Sequence, residues 1–311
     1  MASEPQIVVL GRTVVAQRAR PIPLRATISD YWALTKPEVN FLILVTTFAG
    51  FYLASNPGFG EFRILLAVHT LLGTLLVAGG TGTLNQFIER TFDAQMRRTS
   101  RRPLASGRIE PSHALWFGIS LSLAGTVYLA FAVNVLTSLL AVITLVSYLF
   151  LYTPLKRKTP LCTLIGAFPG AVPPLIGWAA ARGQLAPPAW VLYAMVFLWQ
   201  FPHFMAIAWM YREDYARAGY LVLPMDEQRE RYVVWQSLGV SLALIPISLI
   251  PTFMGESSPF YSLGALIFGL IFLCYSACFA FHRSNVAARR LLAASIVYLP
   301  AVFVLLMLNK K

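Results

Sequence analysis

Charge is what this sequence has least of. Of its 311 residues only 12% are charged, 13 of them acidic, while 57% are hydrophobic. An ordinary soluble domain carries about 25% charged residues. The three cysteines, Cys162, Cys274 and Cys278, fall inside apolar runs, so there is no disulfide framework and no zinc motif. The apolar stretch Ile7–Leu10 is too short for a secretory signal core. No internal repeat is evident. Ionisable groups are nearly absent from the middle of the long apolar runs, His69 and His203 being the main exceptions, which argues against ion transport through the bilayer.

What is present is a series of apolar runs, each near the roughly 20 residues needed to cross a bilayer. Nine are predicted, at about 38–55, 64–84, 112–132, 134–153, 161–181, 189–210, 232–251, 260–281 and 291–308. The expected fold is all-α, a polytopic membrane protein. The fifth run contains Pro169, Pro173 and Pro174 among Gly166, Gly170 and Gly177. It is predicted to be kinked or broken, which membranes tolerate only where protein or a cavity covers the backbone. The expected division is a disordered basic tail over residues 1–36 and a membrane domain over 37–311. A mitochondrial presequence is the alternative reading of the tail.

The loops alternate in charge. Of the 25 lysines and arginines, 21 fall on the side of the N-terminus, and only Glu61 and Glu256 among the acids lie opposite. The positive-inside rule puts the N-terminus and the charged loops in the cytoplasm. The net charge of +12 is therefore a topology signal, and no nucleic-acid partner is implied.

Four clusters carry possible chemistry, three of them on that one face and the fourth at or near mid-span. In the first, Asn85, Glu89 and Asp93 follow the second run at four-residue spacing, which puts three oxygen-bearing side chains on one helix face. Arg97, Arg98, Arg101 and Arg102 come next. Carboxylates beside a membrane suit magnesium, which takes one or two of them together with phosphate and water, and arginine forks match phosphate oxygens. The competing reading is a solvated helix whose charges mark topology. The second cluster is Glu213 and Asp214, flanked by Arg212 and Arg217: either local ion pairs or a second carboxylate group for magnesium. The third is Tyr152 to Pro160, where Lys156 or Arg157 is a candidate diphosphate contact. In the fourth, His203 lies among Trp199, Phe201 and Phe204, as a hydrogen-bonded core histidine or as a contact to a large planar substrate.

Several stretches together resemble the UbiA-type intramembrane aromatic prenyltransferase superfamily. Asn85-x3-Glu89-x3-Asp93-x4-Arg98-Thr-x2-Arg102-Pro103 looks like its first signature. Tyr152 to Pro160, Pro173-Pro174-Leu-Ile-Gly177-Trp178, Trp199 to Phe204 and Asp214 to Pro224 are similar to its haem-farnesylating branch. The similarity runs from about Lys36 to the last span. Two departures stand out: Glu89 occupies a position where the superfamily often has Asp, and Asp214 is followed four residues on by Ala218 where many relatives have a second Asp.

The resemblance implies nine helices around a central cavity open toward lipid, and transfer of farnesyl from farnesyl diphosphate to the 2-vinyl group of haem b, giving haem O for terminal oxidases. It implies magnesium on Asn85, Glu89, Asp93 and Asp214, with Glu213 a further candidate, and diphosphate on Arg98, Arg102 and Lys156. Arg157, Tyr152 and His203 are further candidate substrate contacts. Phe87, Tyr148, Trp199 and Phe201, with Tyr152, are candidates to face the allylic cation. The expected location is a bacterial inner membrane, with haem A synthase as a possible downstream partner. Competing readings are prenyl transfer to a quinone precursor, a transporter of anionic amphiphiles, and a non-catalytic oxidase assembly factor.

Overall fold

The computed structural model describes residues 27–55, 63–222 and 227–311. Among these residues the chain is helical apart from connections and one isolated bridge, Ser257 to Lys310. In order the helices are α1 (Ile28–Leu34), α2 (Pro37–Ala54), α3 (Ile64–Asp93), α4 (Pro111–Ala132), α5 (Val135–Val146), α6 (Thr153–Leu155), α7 (Cys162–Gly170), α8 (Pro173–Arg182), α9 (Pro187–Met210), α10 (Arg212–Arg217), α11 (Glu227–Phe253), α12 (Pro259–His282) and α13 (Asn285–Leu308). A π turn, Ser147–Tyr152, joins α5 to α6.

Counting α5–α6 and α7–α8 as one span each, nine spans among the described residues are long and apolar enough to cross a bilayer. This is the number and order expected, and the chain is a multi-pass membrane protein. Large apolar side chains such as Phe131, Phe253, Phe260 and Leu308 stand on the outside, where lipid rather than water meets them.

Lipid tails are as apolar as leucine, so these helices associate through close packing and polar contacts rather than the hydrophobic effect. The glycines show it. A β-carbon on Gly177 would lie 1.9 Å from the Thr47 carbonyl oxygen, and one on Gly50 would lie 2.2 Å from that of Pro174. The backbones of α2 and α8 therefore touch. Gly80 and Gly125 let α3 approach α4 in the same way, against Ser122 and Val77. Buried hydroxyls add interhelical bonds: Tyr261 Oη donates to the Ser248 carbonyl at 2.7 Å, and Ser241 to Ser276 Oγ at 3.0 Å.

The fifth span breaks at Ala171–Val172, as its prolines require, since Pro173 and Pro174 have no N–H to continue the ladder. It is the most enclosed of the nine spans. Gln200 of α9 donates to the Ala167 carbonyl beside the break at 3.2 Å, so the loosened backbone is satisfied by protein.

α3 is the element that positions the site. Its 30 residues span about 45 Å, against about 30 Å of hydrocarbon, so one end must stand clear of the lipid core. Asn85, Glu89 and Asp93 are on that end. The expected boundary of the N-terminal tail needs correction here. Residues 28–34 form α1, closed by a capping box in which the Thr27 side chain accepts from the Asp30 N–H and the Asp30 carboxylate accepts from the Thr27 N–H. Gln86 of α3 donates to the carbonyls of Ala33 and Leu34 at 3.2 and 3.0 Å, and Arg108 pairs with Asp30 at 2.8 Å. The rest of the tail, residues 1–26, lies outside the described residues.

Candidate functional site at the protruding end of α3

Asn85, Glu89 and Asp93 are all buried, as one helix face turned inward should be. Each is held by a cation from a different part of the chain. Lys36 Nζ donates to Asn85 Oδ1 at 2.5 Å. Lys156 Nζ pairs with Glu89 Oε1 at 2.8 Å, and Arg102 Nη1 with Asp93 Oδ2 at 2.8 Å. Asn85 Nδ2 donates to Thr153 Oγ1 at 3.2 Å. The fourth oxygen group, Asp214 on α10, is buried too. It accepts from the Arg98 backbone N–H at 3.1 Å and pairs with Arg217 at 3.2 Å.

Two of these cations owe their placement to unusual backbone. Lys36 sits between α1 and α2 with φ 57° and ψ 62°, a left-handed conformation that costs a residue with a side chain on the order of 1 kcal/mol. Burial, and after it the nearby Arg102 charge, pulls its ammonium down to about 7. Lys156 follows the π turn. Pro154 cannot donate to the Phe150 carbonyl, and the Thr153 N–H reaches back five residues to the Tyr148 carbonyl instead. The wider turn brings Tyr148 and Tyr152 together at 5.0 Å between ring centroids, and Lys156 Nζ lies 4.6 Å from the Tyr152 ring. Burial works against the Lys156 ammonium, but the Glu89 carboxylate outweighs it and holds the group well above the ordinary lysine range.

A second wall comes from the segment after α10. The Leu221 N–H donates to the Lys156 carbonyl at 2.7 Å, which carries buried Tyr220 to within 5.9 Å of Lys156 Nζ. Burial, with Glu89 beside it, pushes the Tyr220 hydroxyl up and keeps it protonated. Arg98 lies over the Tyr211 ring at 4.8 Å and donates to Tyr215 Oη at 3.3 Å. Arg157 is exposed and stacks over Phe92 at 4.3 Å.

Several expectations change. Glu213 is exposed, and its carboxylate has no ion pair or hydrogen bond among the described residues. It neighbours Asp214 on a helix, where adjacent side chains diverge by about 100°, so only one of the two faces the bundle. Nor do the carboxylates converge: no three of His, Cys, Asp and Glu gather into a metal-holding group among the described residues. The reason is visible in the pairs above, since each carboxylate is tied to its own cation. His203 makes its contacts elsewhere, with Nδ1 2.8 Å from Ser295 Oγ and its ring stacked on Trp199 at 4.7 Å. Trp199 in turn donates to the Ser295 carbonyl at 2.7 Å, and Phe87 packs with Leu34 under α1. Sequence reasoning missed Lys36, Thr153 and Tyr220, whereas the Arg217 pair with Asp214 is one of the local ion pairs it weighed. The one local signal for Lys36 is Pro37, which disfavours right-handed helix at the residue before it.

The oxygens fit magnesium in kind. They are two buried carboxylates and an amide on one face, with Asp214 nearby: hard donors, in the number magnesium accepts when phosphate and water complete its shell. The three cations on them are of the kind that bind phosphate.

Comparison with known proteins gives the family. Residues 43–304 match the model of the UbiA prenyltransferase family. The chain is 47% identical to a protein from Solibacter usitatus named protoheme IX farnesyltransferase, over 90% of this chain and 98% of that protein. It is 41% identical to one of the same name from Koribacter versatilis, over 96% and 99%. Among solved structures, the fold is like that of a digeranylgeranylglyceryl phosphate synthase, with TM-score 0.74 and 18% identity over 90% of this chain and 97% of that one. It is also like a UbiA homologue from Archaeoglobus fulgidus bound to GPP and Mg2+, with TM-score 0.61 and 18% identity over 89% and 99%. On these grounds the chain belongs to the UbiA prenyltransferase family.

Proposed function

We propose that this protein is a magnesium-dependent prenyltransferase that moves farnesyl from farnesyl diphosphate to the 2-vinyl group of haem b, making haem O and releasing diphosphate. The observation that carries the reaction class is the set of three oxygen ligands on the protruding end of α3, each met by a separate cation. The acceptor rests on the relatives, which are named for protoheme IX and share 47% and 41% of their aligned residues with this chain.

Asn85, Glu89, Asp93 and Asp214 would hold the metal, which when bound supplies Lewis-acid neutralisation of the leaving diphosphate. Lys36, Lys156 and Arg102 stand on those oxygens and are the groups placed to take the phosphate charge as it develops. The C1–O bond of farnesyl breaks, leaving an allylic cation. The faces of Tyr148, Tyr152 and Tyr220 line the same corner as Lys156, and aromatic faces stabilise a desolvated cation by about 2 kcal/mol. The vinyl carbon then forms the new C–C bond. Water adds to the porphyrin-side cation and loses a proton, which completes the hydroxyethylfarnesyl chain.

Both substrates are amphiphiles with anionic ends, which suits a basic rim over apolar spans. The positive-inside bias supports a cytoplasmic rim, and a bacterial inner membrane is the expected location. Haem A synthase is the expected consumer of the product.

The test uses purified protein with haem b, farnesyl diphosphate and magnesium, read by chromatography and mass spectrometry, with EDTA as control. A magnesium-dependent farnesylated haem is expected. Product with a quinone precursor but none with haem would overturn the acceptor. No diphosphate release with any acceptor would overturn the reaction class.

A further inference from the structure

A groove of about 340 Å³ lies between α12 and α13, at the low end of the range for small-molecule sites. Its walls repeat at helical spacing. Phe268, Phe272 and Tyr275 come from α12, and Val297, Ala293 and Arg290 from α13. The two helices run antiparallel, so Tyr275 and Arg290 share one end and Phe268 and Val297 the other. About two turns separate the ends, roughly 10 Å along the helix axes. The Arg290 end is the one nearer the functional site, because Arg212 at the start of α10 donates to Asn285 at the start of α13 at 3.0 Å.

The groove is thus apolar along its length and cationic at the mouth. Arg290 is exposed and has no ion pair among the described residues, and the same holds for Arg283 and Arg289 beside it. Three such cations at the end of two spans have no carboxylate paired to them, unlike the cations beside Glu89, Asp93 and Asp214. Lys156, Arg102 and Arg217 all meet acids. Unpaired arginines at the headgroup level attract anionic lipid, and basic clefts between membrane helices are headgroup sites.

We propose that this groove binds one anionic phospholipid of the surrounding bilayer, with an acyl chain along Phe268, Phe272 and Val297 and the headgroup phosphate on Arg290. The chain length of groove and the single charged end fit an amphiphile rather than a free anion. The site is separate from the α3 cluster, and its occupant is a ligand rather than a reactant.

The test is lipid retention by the full chain in detergent, counted by native mass spectrometry, with phosphatidylglycerol and phosphatidylcholine of identical acyl chains. One phosphatidylglycerol should be retained at about tenfold lower lipid concentration than phosphatidylcholine, whose phosphate is the same but whose choline ammonium brings a like charge to Arg290. Arg290→Gln should erase that preference with helicity unchanged. Ala293→Phe, a change at an exposed position that fills the groove, should lower retention of both lipids. Equal retention of the two lipids by the parent, or an undiminished preference in Arg290→Gln, would overturn the proposal. So would displacement by inorganic phosphate, which would make Arg290 a free-anion site, or by equimolar farnesyl diphosphate, which would make the groove part of the substrate route.

Discussion

The two ends of this bundle treat cations in opposite ways. At the α3 end, Lys36, Lys156 and Arg102 rest on side-chain oxygens of Asn85, Glu89 and Asp93. At the other end, Arg182 donates to the Ala54 carbonyl, and Lys310 to the carbonyls of Tyr52 and Ser55, so both cap the C-terminus of α2. Both arrangements neutralise something: a carboxylate in one case, the negative end of a helix dipole in the other. They differ in what can replace the cation. A carboxylate released by its lysine can take a metal ion while the lysine takes a phosphate. A backbone carbonyl at a helix end has no such exchange open to it. Charge at one end is therefore available for chemistry, and charge at the other is fixed in the fold.

The largest expected effect comes from breaking the exchangeable end. Glu89→Gln should lower turnover by about two to three orders of magnitude, the usual cost of removing one group that stabilises developing charge. It also leaves Lys156 half-buried without its partner, a change that costs about 3–5 kcal/mol where the burial is complete. The double variant Glu89→Gln with Lys156→Met removes both charges. Its melting temperature should recover while product formation, followed by chromatography of the haem, stays lost. A double variant that regains turnover would show that the pair is structural, like the capping cations opposite.

Next is Lys36→Met. A charge-assisted contact to phosphate is worth about 1.5–3 kcal/mol, so KM for farnesyl diphosphate should rise about 10- to 100-fold with KM for haem unchanged. Smaller effects should come from the opposite end. Arg182→Met and Lys310→Met each remove a helix-end cation worth about 0.3–1 kcal/mol. Each should lower the melting temperature slightly and leave both Michaelis constants at the parental value. The smallest is Glu213→Gln, whose exposed carboxylate meets none of the site cations; activity should stay within about twofold of the parent. A large loss there would return Glu213 to the metal site.

Much of this contrast was legible in the sequence, and the reasons are physical. Span number and order follow from apolar run length, which the bilayer dictates directly. The broken fifth span follows from Pro173 and Pro174, whose missing donors have no remedy inside a helix. The common face of Asn85, Glu89 and Asp93 follows from helical spacing alone. The pairings do not follow from spacing. Lys36 lies 49 positions from Asn85 and Lys156 lies 67 from Glu89, and neither separation carries a periodic signal. The choice between Glu213 and Asp214 depended on which way a six-residue helix turns against α9, which tertiary packing decides. α1 was legible in principle, since Thr27-x-x-Asp30 is a capping-box pattern, but it is too short for its apolar residues to declare a period.

The π turn before Lys156 works as a phase shift in the chain. It inserts the equivalent of one residue into a span whose hydropathy is otherwise unbroken, so everything after Tyr152 is rotated by about 100° from where an uninterrupted α-helix would put it. Straightening this turn into α-helix without removing a residue would leave a span of the same length and apolarity, still fit to cross the bilayer. It would also turn Lys156 off the face that meets Glu89. Membrane insertion and the active register are thus encoded separately in this segment, and only the second depends on the extra residue.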